Sequence, residues 1–220
     1  MRHPYEKYLI TRDNYLEKPF DVIEMSKDQL YNRSPAYPGA RTDNLLGSPD
    51  PEVKRFAEWF TTQLSYNVFP GIALYETYLC FHIYDVCAEP ELNVGWVHND
   101  YGNLAGLIYL TPDEESLDTG TSIFAGDVTI EELPGDAYAR EQFHMHGNIT
   151  PEFRDGFNRN LKLFEGKETI RVGNKFNRLV AYDSKMWHRP NNYDTAIGKP
   201  RLSLLFFISE FQYFNEQQGK

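Results

Sequence analysis

Val94-Gly95-Trp96-Val97-His98-Asn99-Asp100 sets a histidine and an aspartate one residue apart, directly behind a short β-prone run. Side chains of an extended strand alternate with period two, so His98 and Asp100 leave one rigid backbone on the same face. Two donors held in that way are half of a metal site. A third ligand from a remote position completes a face of two imidazoles and one carboxylate, which leaves coordination positions open to other molecules. His188, in Trp187-His188-Arg189-Pro190, is the best candidate. It follows Asn177-Arg178-Leu179-Val180-Ala181-Tyr182-Asp183, an alternating segment that reads as a strand, and it precedes a Pro/Asn-rich turn, which puts it at a strand end.

Outward from this stretch the chain is a series of short β-rich runs, at residues 72–76, 78–84, 95–98, 104–110 and 121–124. Turn-forming Glu89-Pro90, Tyr101-Gly102-Asn103, Thr111-Pro112-Asp113 and Thr119-Gly120 separate them, and residues 168–172, 177–183 and 201–209 resume the series. Many short strands with regular turns predict a sandwich or barrel, of which the two-sheet jelly roll of the cupins is one form. Asp50-Pro51 starts a helix, since Val53, Phe56, Ala57, Phe60 and Leu64 recur at helical spacing behind an N-cap and a first-turn proline. Thr150 caps a second helix over residues 151–164, with Phe153, Phe157, Leu161 and Phe164 on one face. Nearer the start, residues 8–10 read as a short edge strand and residues 20–30 as a moderately amphipathic segment. The Pro/Gly/Asn-rich residues 32–51 read as loop.

The resulting expectation is a single domain over residues 1–220: helical and loop support over 1–70, a β core over 71–210 with an inserted helix near 151–164, and a tail over 211–220 whose polar residues 215–220 are frayed. With 41% hydrophobic and 15% aromatic residues there is material for one well-buried core. A formal charge of -10, with no Lys/Arg cluster, argues against nucleic acid as a partner. Cys80 and Cys87 lack the spacing of a zinc site and read as buried free thiols. No stretch approaches the ~18 apolar residues that span a bilayer. No membrane partner is therefore expected, and the default compartment is the reducing cytoplasm.

In order, a strand, His98-Asn99-Asp100, a turn, an apolar strand, a distant His188 and then Arg201-Leu202-Ser203 opening another apolar strand make up a pattern. With that pattern the chain resembles the Fe(II)- and 2-oxoglutarate-dependent oxygenases, those similar to the prolyl hydroxylases in particular. The resemblance runs over residues 72–209 and implies a mainly β chain with flanking helices around a double-stranded β-helix (jelly-roll, cupin-like) core. It implies His98, Asp100 and His188 as iron ligands, and Arg201 with Ser203 as the grip on the far carboxylate of 2-oxoglutarate. Tyr84 and Tyr109 are the tyrosines that can donate to that co-substrate. The implied cofactors are Fe(II), 2-oxoglutarate and O2, and the implied reaction couples decarboxylation of 2-oxoglutarate to succinate and CO2 with hydroxylation of a peptidyl residue or small amino-acid-like substrate. Halogenating relatives replace the carboxylate with a small residue, whereas Asp100 is present here. The separation between Asp100 and His188 exceeds that of compact members, because residues 127–176 are inserted.

The chemistry accounts for the residue types. Two imidazoles and one carboxylate leave three of six positions for a bidentate 2-oxo acid and dioxygen, and a guanidinium offers a planar fork to a carboxylate. Other residues have blander readings beside functional ones. His144 and His146 form a second His-x-His pair, expected in a surface loop or a flanking strand, and His82 is expected to satisfy a hydrogen bond inside a sheet. Trp96 and Trp187 are either shields for the site or ordinary core. Arg41 is either an anchor for an acidic substrate group or a solvated loop arginine. Two rival functions stay open: a cupin-like metalloenzyme that does not use 2-oxoglutarate, and a non-catalytic binding protein on the same scaffold.

Overall fold

The computed structural model describes residues 7–194 and 200–213. Ten strands are present among these residues: β1 (Leu9–Arg12), β2 (Tyr31–Ser34), β3 (Tyr37–Thr42), β4 (Ile72–Ile83), β5 (Leu104–Tyr109), β6 (Glu115–Phe124), β7 (Glu168–Lys175), β8 (Leu179–Asp183), β9 (Trp187–Pro190) and β10 (Leu202–Tyr213). The helices are α1 (Pro19–Lys27), α2 (Pro51–Gln63), α3 (Asp136–His146) and α4 (Pro151–Leu163). Every pairing is antiparallel. Seven strands form a major sheet in the order β1-β8-β5-β10-β4-β3-β2, and three form a minor sheet in the order β7-β6-β9.

Alternation along the strands divides the major sheet into two faces. Leu79, Phe81, Leu104, Ile108, Leu204, Phe206 and Ile208 point outward and pack beneath α2, whose Val53, Ala57 and Phe60 are buried. Asp50 holds the start of α2 by accepting from the Glu52 amide at 2.7 Å, as the N-cap reading requires. Cys80, Leu107, Tyr109, Val180, Tyr182 and Leu205 point inward, toward the minor sheet. Between the two sheets, past this second core, lies the site.

Five expectations are corrected. Residues 32–51 are not a loop: they carry β2, β3 and a 3-10 turn at Leu45–Gly47, and with β1 they complete the major sheet. The Pro38-Gly39 pair concealed this, because Gly39 sits at φ +82° where a Cβ would lie 2.1 Å from the Ile83 carbonyl oxygen. Glycine is thus what lets β3 bend closely over β4. Second, residues 72–83 are one strand rather than two; the apparent break coincides with Glu76 at φ 39°. Third, residues 95–98 are no regular strand, and His98 makes a lone bridge to His188. Fourth, Phe211, Gln212 and Tyr213 continue β10 and so belong to the β core rather than to the tail. The polar residues 215–220 lie outside those described. The Thr119-Gly120 turn is likewise an irregularity inside β6, where its register against β7 shifts.

α4 begins where its cap predicts, with Thr150 Oγ1 accepting from Phe153 N at 3.2 Å. α3, absent from the sequence reading, lies against it through stacked Phe143 and Phe153, with centroids 4.2 Å apart. The pair forms a small core of its own with Leu92, Ala139, Phe157 and Trp96. Among the described residues no helix is long and apolar enough to cross a membrane. Cys80 is buried and Cys87 half-buried, both as free thiols.

Candidate active site

The site starts from a backbone contact. His98 and His188 exchange both main-chain hydrogen bonds, N to O at 2.9 Å and 2.8 Å, which holds the 94–100 segment along β9. Gly95 makes the approach possible: its amide donates to Pro190 O at 2.9 Å, and a Cβ there would meet the Pro190 ring at 2.6 Å. From α4, the buried Asn160 clamps the residue before the first histidine, accepting from Val97 N at 2.8 Å and donating to Val97 O at 2.9 Å. Asp100 is fixed by its own amide on Ser184 O at 2.8 Å. His98 and Asp100 therefore do face one way, held by cross-links to three other segments rather than by strand geometry.

The two imidazoles lie with centroids 4.4 Å apart. His98 Nδ1 donates to Trp96 O and His188 Nδ1 to Met186 O, each at 2.9 Å, so the Nε2 lone pairs turn toward Asp100. His188 Nε2 is 3.2 Å from Asp100 Oδ2 and His98 Nε2 is 3.7 Å from Oδ1. One ligand atom from each residue falls within 4.8 Å of the others, the only such cluster among the described residues. Burial and the neighbouring His188 push the His98 imidazole down to about 4. Burial pushes the Asp100 carboxyl upward, but the two imidazoles outweigh it and bring the group to about 2. For His188 burial again opposes the charge, and Asp100 prevails and raises the imidazole. The three groups together favour a positive charge between them. Two neutral nitrogens and a carboxylate oxygen with tautomers fixed by backbone carbonyls are a donor set that fits a divalent first-row metal.

Arg201, immediately before β10, is 1% exposed, and its Nε, Nη1 and Nη2 find no hydrogen-bond partner among the described residues. The guanidinium lies 4.9 Å from the Tyr84 ring centroid and 5.3 Å from that of Tyr109. Ser203 Oγ, two residues on, is buried and likewise without a partner. A buried charge lacking an acceptor costs several kcal/mol, so this corner fits an anion. Tyr84 lines the cavity, between His82 and Tyr193 at centroid distances of 3.9 and 4.8 Å. Tyr109 is committed elsewhere: its hydroxyl pairs with Thr121 Oγ1 at 2.8 Å, and only its ring faces Arg201.

These groups share a cavity of about 980 Å³ whose wall includes His98, Asp100, His188, Tyr84 and Arg201. Residues the sequence reading did not assign also line it, Asn160, Thr121 and Tyr193 among them. Tyr182, which closes on His188 at a centroid distance of 4.6 Å, belongs to the same wall. Thr121 and Tyr182 on their strands reveal a face only once the register is known, and Asn160 on α4 and Tyr193 beyond β9 reach the cavity only through tertiary packing, so no sequence signal distinguished them. His82 Nε2 donates to Pro38 O at 2.7 Å, the hydrogen bond expected of a sheet histidine, while its buried Nδ1 finds no partner among the described residues. Trp96 lines the cavity and packs on Phe153 and Phe157, whereas Trp187 packs on Phe164. His144 and His146 lie on α3, neither in a loop nor in a strand; His144 is buried with Nδ1 on Pro35 O at 2.8 Å, and His146 is exposed.

No protein-family model and no curated protein matches the sequence. Solved structures do. HygX from Streptomyces hygroscopicus, crystallised with nickel, 2-oxoglutarate and hygromycin B, aligns at a TM-score of 0.53 with 11% identity over 95% of this chain and 84% of its own. A prolyl-4-hydroxylase from Pseudomonas putida aligns at 0.52 with 14% identity over 93% of each chain. SnoN, the non-haem α-ketoglutarate-dependent epimerase of nogalamycin biosynthesis, aligns at 0.51 with 9% identity over 98% of this chain and 87% of its own. The mainly β chain with its two antiparallel sheets thus has the double-stranded β-helix fold.

Proposed function

We propose that the chain is a non-haem Fe(II)- and 2-oxoglutarate-dependent dioxygenase that hydroxylates a peptidyl residue or a small amino-acid-like substrate. The observation that carries this reading is Arg201: a buried guanidinium with no acceptor among the described residues, in the same cavity as His98, Asp100 and His188. A dicarboxylate reaching from the three ligands to Arg201 and Ser203 relieves both demands at once. In this reading His98 and His188 contribute Nε2, Asp100 contributes a carboxylate oxygen, and Arg201 with Ser203 Oγ holds the far carboxylate. Bound iron with its 2-oxo acid supplies the oxidising chemistry, consuming O2 and releasing succinate and CO2.

The chain's own work is to hold and to exclude. Trp96 O and Met186 O keep both histidines in the metal-binding tautomer, and Tyr84 and Tyr109 wall the guanidinium off from water, which strengthens its hold on an anion. Asp100 supplies the carboxylate that halogenating relatives lack, which favours hydroxylation. The prolyl-4-hydroxylase among the similar structures supports that preference, while SnoN is an epimerase on the same fold, so the outcome depends on how the substrate is set in the cavity. Free Cys80 and Cys87 and a ferrous ion suit a reducing compartment such as the cytoplasm.

The test is anaerobic titration of metal-free protein with Fe(II) and 2-oxoglutarate, followed by exposure to O2. We expect one metal per chain, metal-dependent binding of 2-oxoglutarate, and slow succinate formation even without substrate. Metal binding without any affinity for 2-oxoglutarate would favour the cupin-like reading, and neither would leave a binding protein.

A further inference from the structure

Four described arginines line the cavity, and they divide into two kinds. Arg140 and Arg159 are neutralised by Glu132 and Asp136, the second pair at 2.6 Å. Arg201 and Arg41 have no carboxylate partner among the described residues. In a chain with 32 acidic and 22 basic residues a cavity arginine without a carboxylate partner calls for another anion, and in the functional reading Arg201 is accounted for by the co-substrate. Arg41 is not.

Arg41 lies on β3 opposite His82 of β4, which in turn lies opposite Ser203 of β10. It therefore stands two strands, about 10 Å of sheet, from the co-substrate grip. Its guanidinium lies over the Tyr37 ring, 3.9 Å from the centroid, and 5.5 Å from that of Phe207. Aromatic contacts of this kind hold the charge in place without supplying an acceptor for its N–H groups, which suit an anion. Its Nε is buried and has no partner among the described residues. A second unpartnered donor, the buried Trp96 Nε1, belongs to another residue of the same wall.

Resting on the functional reading above, we propose that Arg41 is the specificity-determining anchor for an anionic group of the substrate, a carboxylate or a phosphate, carried on an organic body that packs against Tyr37, Tyr78 and Phe207. Arg41 binds substrate and takes no part in holding 2-oxoglutarate.

The test uses protein loaded with Zn(II), a redox-silent ion, and with 2-oxoglutarate just sufficient to fill its own site. Benzoate, phenyl phosphate and neutral benzamide are titrated by ligand-observed NMR against wild type, Arg41→Gln and Arg41→Lys. We expect at least one anion to bind wild type about tenfold more tightly than benzamide, the scale of a charge-assisted hydrogen bond. Arg41→Gln should erase that preference, Arg41→Lys should keep part of it, and affinity for 2-oxoglutarate should stay within about twofold in both. The better of the two anions identifies the group. Equal binding of anions and benzamide by wild type, or an anion preference that survives in Arg41→Gln, would overturn the proposal. So would an equal loss of 2-oxoglutarate and anion affinity, which would assign Arg41 to the co-substrate. If wild type binds no 2-oxoglutarate, the functional reading fails, and the same titrations still decide for or against Arg41.

Discussion

Arg201 sets a guanidinium in the interior with no acceptor among the described residues for any of its three nitrogens. Such an arrangement destabilises the ligand-free protein and is relieved by an anion, so replacing the charge with a long apolar side chain should have opposite effects on stability and on binding. For Arg201→Met we expect ligand-free stability to hold or to rise, metal affinity to change by less than about threefold, and 2-oxoglutarate affinity to fall by at least about 30-fold. Denaturant unfolding and calorimetric titration measure these; a large stability loss with unchanged 2-oxoglutarate binding would make Arg201 a structural residue. The pairs His98 with Asp100 and Arg201 with Ser203 were legible because His-x-Asp and Arg-x-Ser are short-range relations that the chain itself displays, whereas His188 was singled out by its strand-end setting and the role of Arg201 by the resemblance. Asn160 was not legible, since it depends on a helix meeting a segment 63 residues away. Arg41 was legible only as one of two readings, because the choice between anchor and loop arginine depends on a strand hidden behind Pro38-Gly39.

At the scale of elements, the inserted α4 does more than lengthen the chain between ligands. Asn160 satisfies both main-chain groups of Val97, a residue 1% exposed, and so sets the position of the histidine that follows. Asn160→Ala leaves a buried N–H and a buried C=O unpaired, at about 1–3 kcal/mol each. We expect a loss of about 2–4 kcal/mol in unfolding free energy and a metal affinity weaker by about 10–100-fold, the range seen when a group that orients a ligand is removed. Unchanged metal affinity in a folded variant would show that β9 alone positions His98. The same clamp explains why the sequence misread residues 95–98 as a strand. Alternation there is real, and Gly95 and His98 do bond β9, but the main-chain groups of Val97 meet the Asn160 side chain instead of a further strand. α2 and α4 were legible because cap, first-turn proline and apolar stripe agree. α3 begins after Gly135 at φ 96° without a side-chain cap and buries few residues, so no local signal announces it.

For the molecule as a whole, the site joins segments that are far apart in sequence. The ligands come from the 94–100 segment and β9, the anion corner from the start of β10, and the opposite wall from β3 and α4. Ligands that bind only when these segments are assembled must stabilise the entire fold by mass action, by about 2.7 kcal/mol at a hundredfold excess over Kd. For a chain of this size that is a rise of roughly 5–11 °C in Tm. The two ligands should also act unequally. A divalent metal needs only the His98-Asp100-His188 cluster, whereas 2-oxoglutarate reaches full affinity when it spans the metal and Arg201 together. Scanning calorimetry should therefore show a rise with Zn(II) alone, little with 2-oxoglutarate alone, and a combined rise larger than the sum. In Arg201→Met the Zn(II) rise should persist while the additional step disappears. Shifts that simply add, or a 2-oxoglutarate shift that survives without metal, would separate the anion corner from the metal cluster and dissolve the single site on which the functional reading depends.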